Sequence, residues 1–571
     1  MVQDTVEADT VDRTARLLDV ASAATMVTPV LPTIGTERLF TPHALIVFDQ
    51  DSIDWTNAET VGDLVARVPG VFLWRGGWLN RAEMPSFRGR GASSISWWLD
   101  GVPLLPLGPD SVSLDATLFP LSLLERVEVE RLPGEVRVHL YTPRHARRAP
   151  RSRIGVAAGD FEIARFQGRL ERRGEEGFGF GIGVDHISLP ATVGPLGSYE
   201  NNASWFQASY LPNPRVGVLL QLYQSRPERE PQLAFGSLAD TIDAGVDGNR
   251  TDLMLRGHWK RQEDGLGPRL DLILSRSSWS SDSLNQGITQ VGAIGSWRST
   301  DTHLGFSGFL RSDRTPLDLR LTGGAARGRI LSATAEAAYQ RHDGGRTARW
   351  LLVRVGADLP LGFTATGVLR TGRVLAVPTD TADEVQSVSE RSLTAGWESK
   401  AAGFEVEYAH TGAFRGRAFQ QFLTVPTLSP VPGADWITLR GRLAPKQWLT
   451  LEGWVSDPIQ EGVEGVPPEH MVGTATIRSK FLRTFRSGIF DLKLQVGFER
   501  WGQAVMGRLD DGTAILLPSA THVRAQIQLQ FDSFIAFWDR SNLQSTENGF
   551  VPGFRPPTIT STFGVRWRFL N

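Results

Sequence analysis

From about residue 151 to its end the chain is written in period two. In 523–531, VRAQIQLQF, one face holds Val523, Ala525, Ile527, Leu529 and Phe531, and the other Arg524, Gln526, Gln528 and Gln530. In 490–499, Phe490, Leu492, Leu494, Val496 and Phe498 oppose Asp491, Lys493, Gln495, Gly497 and Glu499. In 563–569, Phe563, Val565, Trp567 and Phe569 oppose Arg566 and Arg568. Period two puts each set on one side of a pleated strand. Segments of roughly 9–13 residues repeat this pattern between clusters of Gly, Pro, Asp, Asn and Ser. Strands are predicted to begin near 151, 164, 177, 202, 217, 251, 268, 288, 302, 316, 330, 348, 362, 389, 403, 435, 448, 469, 488, 522, 534 and 558. That is about 22 strands, an even number.

Alternation does not say which face is wet. A soluble sandwich or propeller hides its apolar face, whereas a membrane barrel turns it to lipid around a polar lumen. Three features favour the barrel. The segments are near the ~9–11 residues needed to cross a bilayer at a tilt. Trp259, Trp350, Trp436, Trp448, Trp454, Trp501 and Trp567 fall near strand ends, as interfacial girdles require. Connections such as Ala444-Pro445-Lys446-Gln447 and Leu359-Pro360-Leu361-Gly362 suit an up-and-down meander. The expected fold is therefore membrane all-β, an antiparallel transmembrane β-barrel. A barrel this wide needs a plug.

The texture upstream is different. Val61, Leu64, Val65 and Val68 recur at helical spacing, and Pro69-Gly70 stops the helix. Val71 and Leu73 begin an extended piece, and residues 43–49, HALIVFD, read as a strand. Phe87-Arg88-Gly89-Arg90-Gly91 predicts a tight bend or a close backbone approach. Trp98-Leu99-Asp100-Gly101-Val102-Pro103 is strand, Asp-Gly turn, strand. Val127-Glu128-Val129-Glu130 alternates and ends at Pro133-Gly134.

In this order, Val68-Pro69-Gly70-Val71, Arg88-Gly89, Leu99-Asp100-Gly101-Val102-Pro103 and Leu124-Glu125-Arg126-Val127-Glu128-Val129, the stretch resembles the plug domain of TonB-dependent outer-membrane receptors. The resemblance covers about residues 43–134, and over the barrel it is architectural only. It implies an α+β plug inside the lumen, with domains at 1–40 (a periplasmic segment with a possible TonB contact), 41–150 (plug) and 151–571 (barrel). The family's glycine-rich run after Pro-Gly is missing here, and Val136, Val138 and Leu140 are what remains of its following strand. The last strand also departs from the family, because Leu570-Asn571 follow the aromatic Phe569.

Composition sets the exclusions. The 571 residues contain no Cys, so a disulfide framework, thiolate metal sites and a cysteine nucleophile are excluded. A net charge of −2 gives no sign of nucleic acid as a partner. No run reaches the ~18 apolar residues of a membrane helix. The start, MVQDTVEADTVDRTARLLDV, has acids where a secretory leader needs a basic and then an apolar run, so for an exported chain the leader lies outside it. The ten His are scattered, and HExxH, Walker-type and GxSxG motifs are absent, so neither an enzyme nor a cofactor or metal site is expected.

The candidate residues follow from the resemblance. Asp4, Thr5 and Val6 resemble the box that pairs with TonB by adding a strand to the partner's sheet edge. The apical plug loops, 74–82 and 104–111, would face the outside. Trp74, Arg75, Trp78 and Arg81 combine aromatic faces with guanidinium donors suited to an anionic, partly aromatic chelate, and equally to packing against the wall. Arg88, Glu128 and Arg131 match plug positions that often ion-pair with the barrel. Glu405 and Glu407 share a strand face and read as hydrated lumen wall. The basic run Arg144, Arg147, Arg148, Arg151 and Arg153 suits either a solvated linker or anionic headgroups such as lipopolysaccharide.

The function implied is import of a scarce nutrient chelate, a ferric siderophore, cobalamin or a similar ligand, by energised displacement of the plug. The partners would be a TonB-type protein, the metal chelate, and the lipid and lipopolysaccharide of the bacterial outer membrane. Two other readings fit the residues. One is a plugged barrel with a structural or adhesion role and no transport. The other is a soluble β-rich binding protein, for which no repeat of the propeller period is present.

Overall fold

In the computed structural model two sheets account for most of the chain, a small one nested in a large closed one. The structure describes residues 26–570 except 35–44, 57, 76–78, 80–81, 111, 175, 191–196, 234–240, 244, 329, 377–383, 418–427, 461, 465, 483, 486, 509–510 and 550–555. The candidate TonB contact at Asp4, Thr5 and Val6 lies outside the described residues.

The inner unit has strands β1 (Leu45–Asp49), β2 (Val71–Arg75), β3 (Glu83–Phe87), β4 (Ile95–Leu99), β5 (Val102–Leu104), β6 (Arg126–Arg131) and β7 (Val136–Tyr141). Helices α1 (Gln50–Thr56) and α2 (Val61–Val65) follow β1. Thr60 caps α2 in a reciprocal box with Asp63, which satisfies two of its orphan amides. Strands β1, β6, β7, β4 and β5 form one sheet in that order, with only the β4–β7 pair parallel. The run of Val136, Val138 and Leu140 is thus a full central strand, buried along its whole length. At the β4–β5 turn Asp100 and Gly101 both have positive φ, as a two-residue hairpin turn requires. Val61, Leu64, Val65, Phe87, Leu124, Val127, Val129, Val136 and Val138 share one core, which Trp205 and Tyr223 of the outer sheet join.

The outer sheet is a closed antiparallel barrel of 22 strands, from β8 (Arg151–Gly159) and β9 (Ala164–Arg173) to the last strand, Thr560–Leu570. That last strand closes on β8, pairing Leu570 with Arg151 and Phe563 with Ala158. Every strand begins within three residues of its predicted start, the largest differences including 202 against Tyr199 and 389 against Gln386. Connections at the rim where the chain enters are mostly short turns. Those at the far rim include 190–198, 230–248, 375–385, 412–433 and 502–519.

The apolar faces point outward. Val496, Phe498, Leu529, Phe531 and Phe563 are exposed, while Asp491, Lys493, Gln526 and Gln528 are buried in the lumen. This arrangement is that of a transmembrane barrel and excludes a soluble propeller. The girdle reading of the tryptophans needs correction. Trp259 and Trp448 are exposed on the outer face, but Trp350, Trp436, Trp454 and Trp501 are buried on lumenal positions. Their place near strand ends comes from packing against the plug and loops, as where Trp454 Nε1 donates to the Arg67 carbonyl at 3.0 Å. No helix among the described residues is long and apolar enough to cross a membrane.

Leu255, exposed on the outer face midway along the strand Asn249–Lys260, tests the lipid contact. Leu255→Arg is expected to cost the inserted barrel about 2–4 kcal/mol, measured by reversible urea unfolding from lipid vesicles.

Candidate functional site: the plug–barrel interface

The interface is built from charges of opposite sense on opposite sides. On one side the plug is cationic. Arg88 takes a positive φ at the bend after β3, and this turns its guanidinium outward to Glu407, with Nη2 2.8 Å from Oε1. Its Nη1 donates to the Pro133 carbonyl at 3.0 Å. Arg131, at the end of β6, meets the other oxygen of Glu407 and lies 3.5 Å from Glu405. Arg90 pairs with Glu390. Arg137 of β7 binds Glu336 through two parallel bonds of 2.7 and 2.8 Å, the strongest geometry available to this pair. Two bonds run the other way: Arg354 donates to Glu130 at 2.7 Å, and Arg370 lies 3.0 Å from Glu135. The barrel partners sit on five consecutive strands, Leu331–Arg341, Thr347–Asp358, Phe363–Val374, Gln386–Glu398 and Ala402–Thr411. The approach is close: a Cβ at Gly134 would run into the Glu390 carboxylate.

On the other side the plug is anionic. Asp54 of α1, 2% exposed, pairs with Arg153 of β8 and Arg568 of the last strand. Arg566 donates to the Asp54 carbonyl at 3.1 Å. Arg165 reaches Glu59 at 3.2 Å, and Arg169 donates to Gln50 at 3.0 Å. Lys493 donates to the Trp55 carbonyl, while Arg478 lies 4.6 Å over the Trp55 ring.

The electrostatics follow from burial set against pairing. Burial alone raises the Glu135 carboxyl, but Arg370 and Arg137 hold it down at about 2. The same competition leaves Asp54 below the ordinary carboxylate range, burial being overcome by Arg153, Arg566 and Arg568. Burial pushes Arg88 down to about 9 and His139 down to about 4. A cavity of about 630 Å³ borders the cationic side, lined in part by Trp98, Glu130, Arg137, His139, Glu336 and Arg354. His139 stacks on Trp98 there, with centroids 4.8 Å apart.

Several sequence readings change here. Glu405 and Glu407 are each 5% exposed and hold plug arginines, so they are not hydrated wall. Of the three plug positions singled out, Arg88 and Arg131 face barrel glutamates. Glu128 accepts from Tyr141 at 3.2 Å and lies 3.3 Å from Arg126, both on the plug. Three members of the basic run are tied to other parts of the protein, while Arg147 is exposed. Arg144 donates to the Leu31 carbonyl at 2.7 Å and approaches Asp100, Arg151 pairs with Glu171 at 2.6 Å, and Arg153 holds Asp54. Of the loop 104–111, residues 105–108 are fastened to the wall. Gly108 donates to Gln286 at 3.1 Å, Arg250 and Arg314 donate to the Leu105 and Pro106 carbonyls, and Leu107 is buried against Trp279 and Ile288. The backbones of Trp74 and Arg75 end β2; their side chains, with Trp78 and Arg81, lie outside the described residues. Arg90, Arg137, Asp54, Glu336 and Glu390 were not read from the sequence. The signal for the barrel pair was a carboxylate on the lumenal register of an alternating strand.

A wide, lipid-facing barrel with an α/β unit seated in its lumen defines a plugged outer-membrane β-barrel. Residues 38–138 match the family model described as the TonB-dependent receptor plug domain, so the unit seated in the lumen is a plug domain of that kind. Solved structures agree in fold. The siderophore receptor PirA of Acinetobacter baumannii superposes with a TM-score of 0.70 at 10% identity, covering 92% of this chain and 98% of that one. A mutant of the ferric enterobactin receptor PfeA of Pseudomonas aeruginosa gives 0.72 at 10% identity, covering 92% and 98%. The ferric preacinetobactin receptor BauA of Acinetobacter baumannii gives 0.67 at 12% identity, covering 93% and 96%.

Glu407→Gln leaves Arg88 and Arg131 without their shared carboxylate. It is expected to loosen the plug by about 3–5 kcal/mol, read as earlier release of the plug than of the barrel in urea. The carboxylates also set a pH limit. Glu135 has its folded value below its ordinary 4.5, so its contribution is complete above pH 4.5 and fades as pH falls toward 2. Protease sensitivity of the plug is expected to rise across that window while the barrel stays resistant.

Proposed function

We propose that the protein imports a ferric siderophore or a similar metal chelate across the outer membrane, driven by a TonB-type partner that displaces part of the plug. The observation that carries this reading is the polar seat of the plug, whose buried ion pairs fix position more than they add net stability. Charges released from such a seat are solvated by water entering the lumen, so a modest pull can undo it. The N-terminal side offers a line for that pull. Thr28 N donates to the Ala146 carbonyl at 2.7 Å, Leu31 and Ile34 are buried against the wall, and β1 is an edge strand paired with β6 alone. Tension from the periplasm would reach residues 26–34, then β1, then α1 and its Asp54.

The siderophore receptors of similar fold support trying ferric siderophores first, with cobalamin beside them. The test is uptake of labelled ferric siderophores and cobalamin by cells carrying the exported chain, with and without residues 1–12. Saturable uptake that disappears on deletion is the expected result. An inserted, heat-modifiable barrel that takes up none of these ligands would overturn the reading in favour of a structural role.

A further inference from the structure

The cavity between plug and wall holds polar groups that the interface ion pairs leave over. Its lining starts with Arg269 and Asp358, close to the ends of their strands at the rim where the chain enters. It reaches Pro103 and Asp318 toward the far rim. Its volume of about 630 Å³ is that of a small-molecule site. Most of the guanidinium groups on it are satisfied. Arg137 is held by Glu336 and Arg354 by Glu130, while Arg269 donates to Asp271 at 2.9 Å.

Arg320, on the strand Leu317–Arg327, is different. Its one ion-pair contact runs from Nε to Asp318 at 3.5 Å, and Asp318 also accepts from Arg311 at 3.1 Å. One carboxylate thus serves two guanidinium groups. Neither Nη atom of Arg320 has a protein partner among the described residues. The guanidinium carbon lies 5.5 Å from the Trp98 ring and 5.6 Å from the Trp350 ring. Indole faces hold a cation without hydrating it, which leaves the Nη fork poorly solvated and preorganised for a planar anion. His139 stacks on the same Trp98 indole and is 8% exposed, and neither of its ring nitrogens has a hydrogen-bond partner. Burial keeps this imidazole neutral, so one nitrogen donates and the other accepts. Leaving both unpaired in a buried position is costly, and a ligand that supplies partners removes that cost.

We propose that Arg320 and His139, both held on Trp98, form a site inside the lumen for a hydroxycarboxylate, the Nη fork of Arg320 taking the carboxylate and His139 the hydroxyl. A carboxylate fits better than a phosphate because a single guanidinium is left over, and its paired Nη donors match a planar, singly charged group. This extends the import reading by naming a ligand chemistry. Its test measures binding rather than uptake, so either can fail without the other.

The test is equilibrium dialysis of the full chain, purified in detergent, against radiolabelled citrate and against tricarballylate, which lacks the hydroxyl. The unaltered chain is expected to bind citrate about fivefold more tightly than tricarballylate. Arg320→Gln is expected to weaken both by at least about tenfold. Arg320→Lys keeps the charge without the fork and should lose most of the same affinity; it carries the test if the Gln variant does not fold. His139→Phe keeps a ring on Trp98 and removes both nitrogens. It should bind citrate no better than tricarballylate, with its tricarballylate affinity unchanged, a ratio that a packing role alone would not move. Arg349→Gln, at an exposed position, should bind both probes normally. Equal affinity of the unaltered chain for the two probes would overturn the part given to His139. Absence of saturable citrate binding, or undiminished binding by a folded Arg320 variant, would overturn the proposal.

Discussion

A strand in lipid has no water to satisfy its amides, so every backbone donor and acceptor must find a partner in the chain. That requirement forces the alternating segments into a closed sheet, completed where Thr560–Leu570 pairs with β8. With this many strands the closed sheet encloses a wide lumen rather than a packed core. The lumen must then hold something whose surface matches a polar wall. The plug does so with its own apolar core, centred on Val127, Val129, Val136 and Val138, and a charged rind that faces the barrel.

The reversal of polarity across the lumen gives the plug a single orientation. Arginines of the plug meet glutamates on the strands from Leu331 to Thr411, while Asp54 meets arginines on β8 and the last strand. Rotating the plug about the barrel axis would set like charge against like in a space with little water. Desolvated charges held this way contribute little net stability, and removing one partner is costly. Firm seating and ready release can therefore belong to one set of contacts.

Much of the fold was legible because period two is a local signal. The faces of 490–499 and 523–531, the Pro69-Gly70 stop and the Asp100-Gly101 turn all depend on residues a few positions apart. The plug–barrel site was legible in part, through the order of short motifs that pointed to Arg88 and Arg131. Their partners were not, since Glu407 lies hundreds of residues downstream and a lumenal carboxylate looks the same whether it faces water or a guanidinium. The tryptophans failed for a related reason. Trp436 and Trp454 sit near strand ends, but only the register with neighbouring strands says that they point inward.

The Asp54 contact has a consequence for how the molecule is assembled. Two of the arginines around it, Arg566 and Arg568, belong to the final strand of the chain. Its pairing with β8 is what seals the cylinder. Two of the three arginines around Asp54 lie across that seam from Arg153, so the anionic side of the plug is fully held only in the sealed cylinder. A barrel left open at its seam would keep the glutamate side of the plug seated while loosening the hold on Asp54. The same few residues that orient the plug thus couple its seating to closure of the barrel.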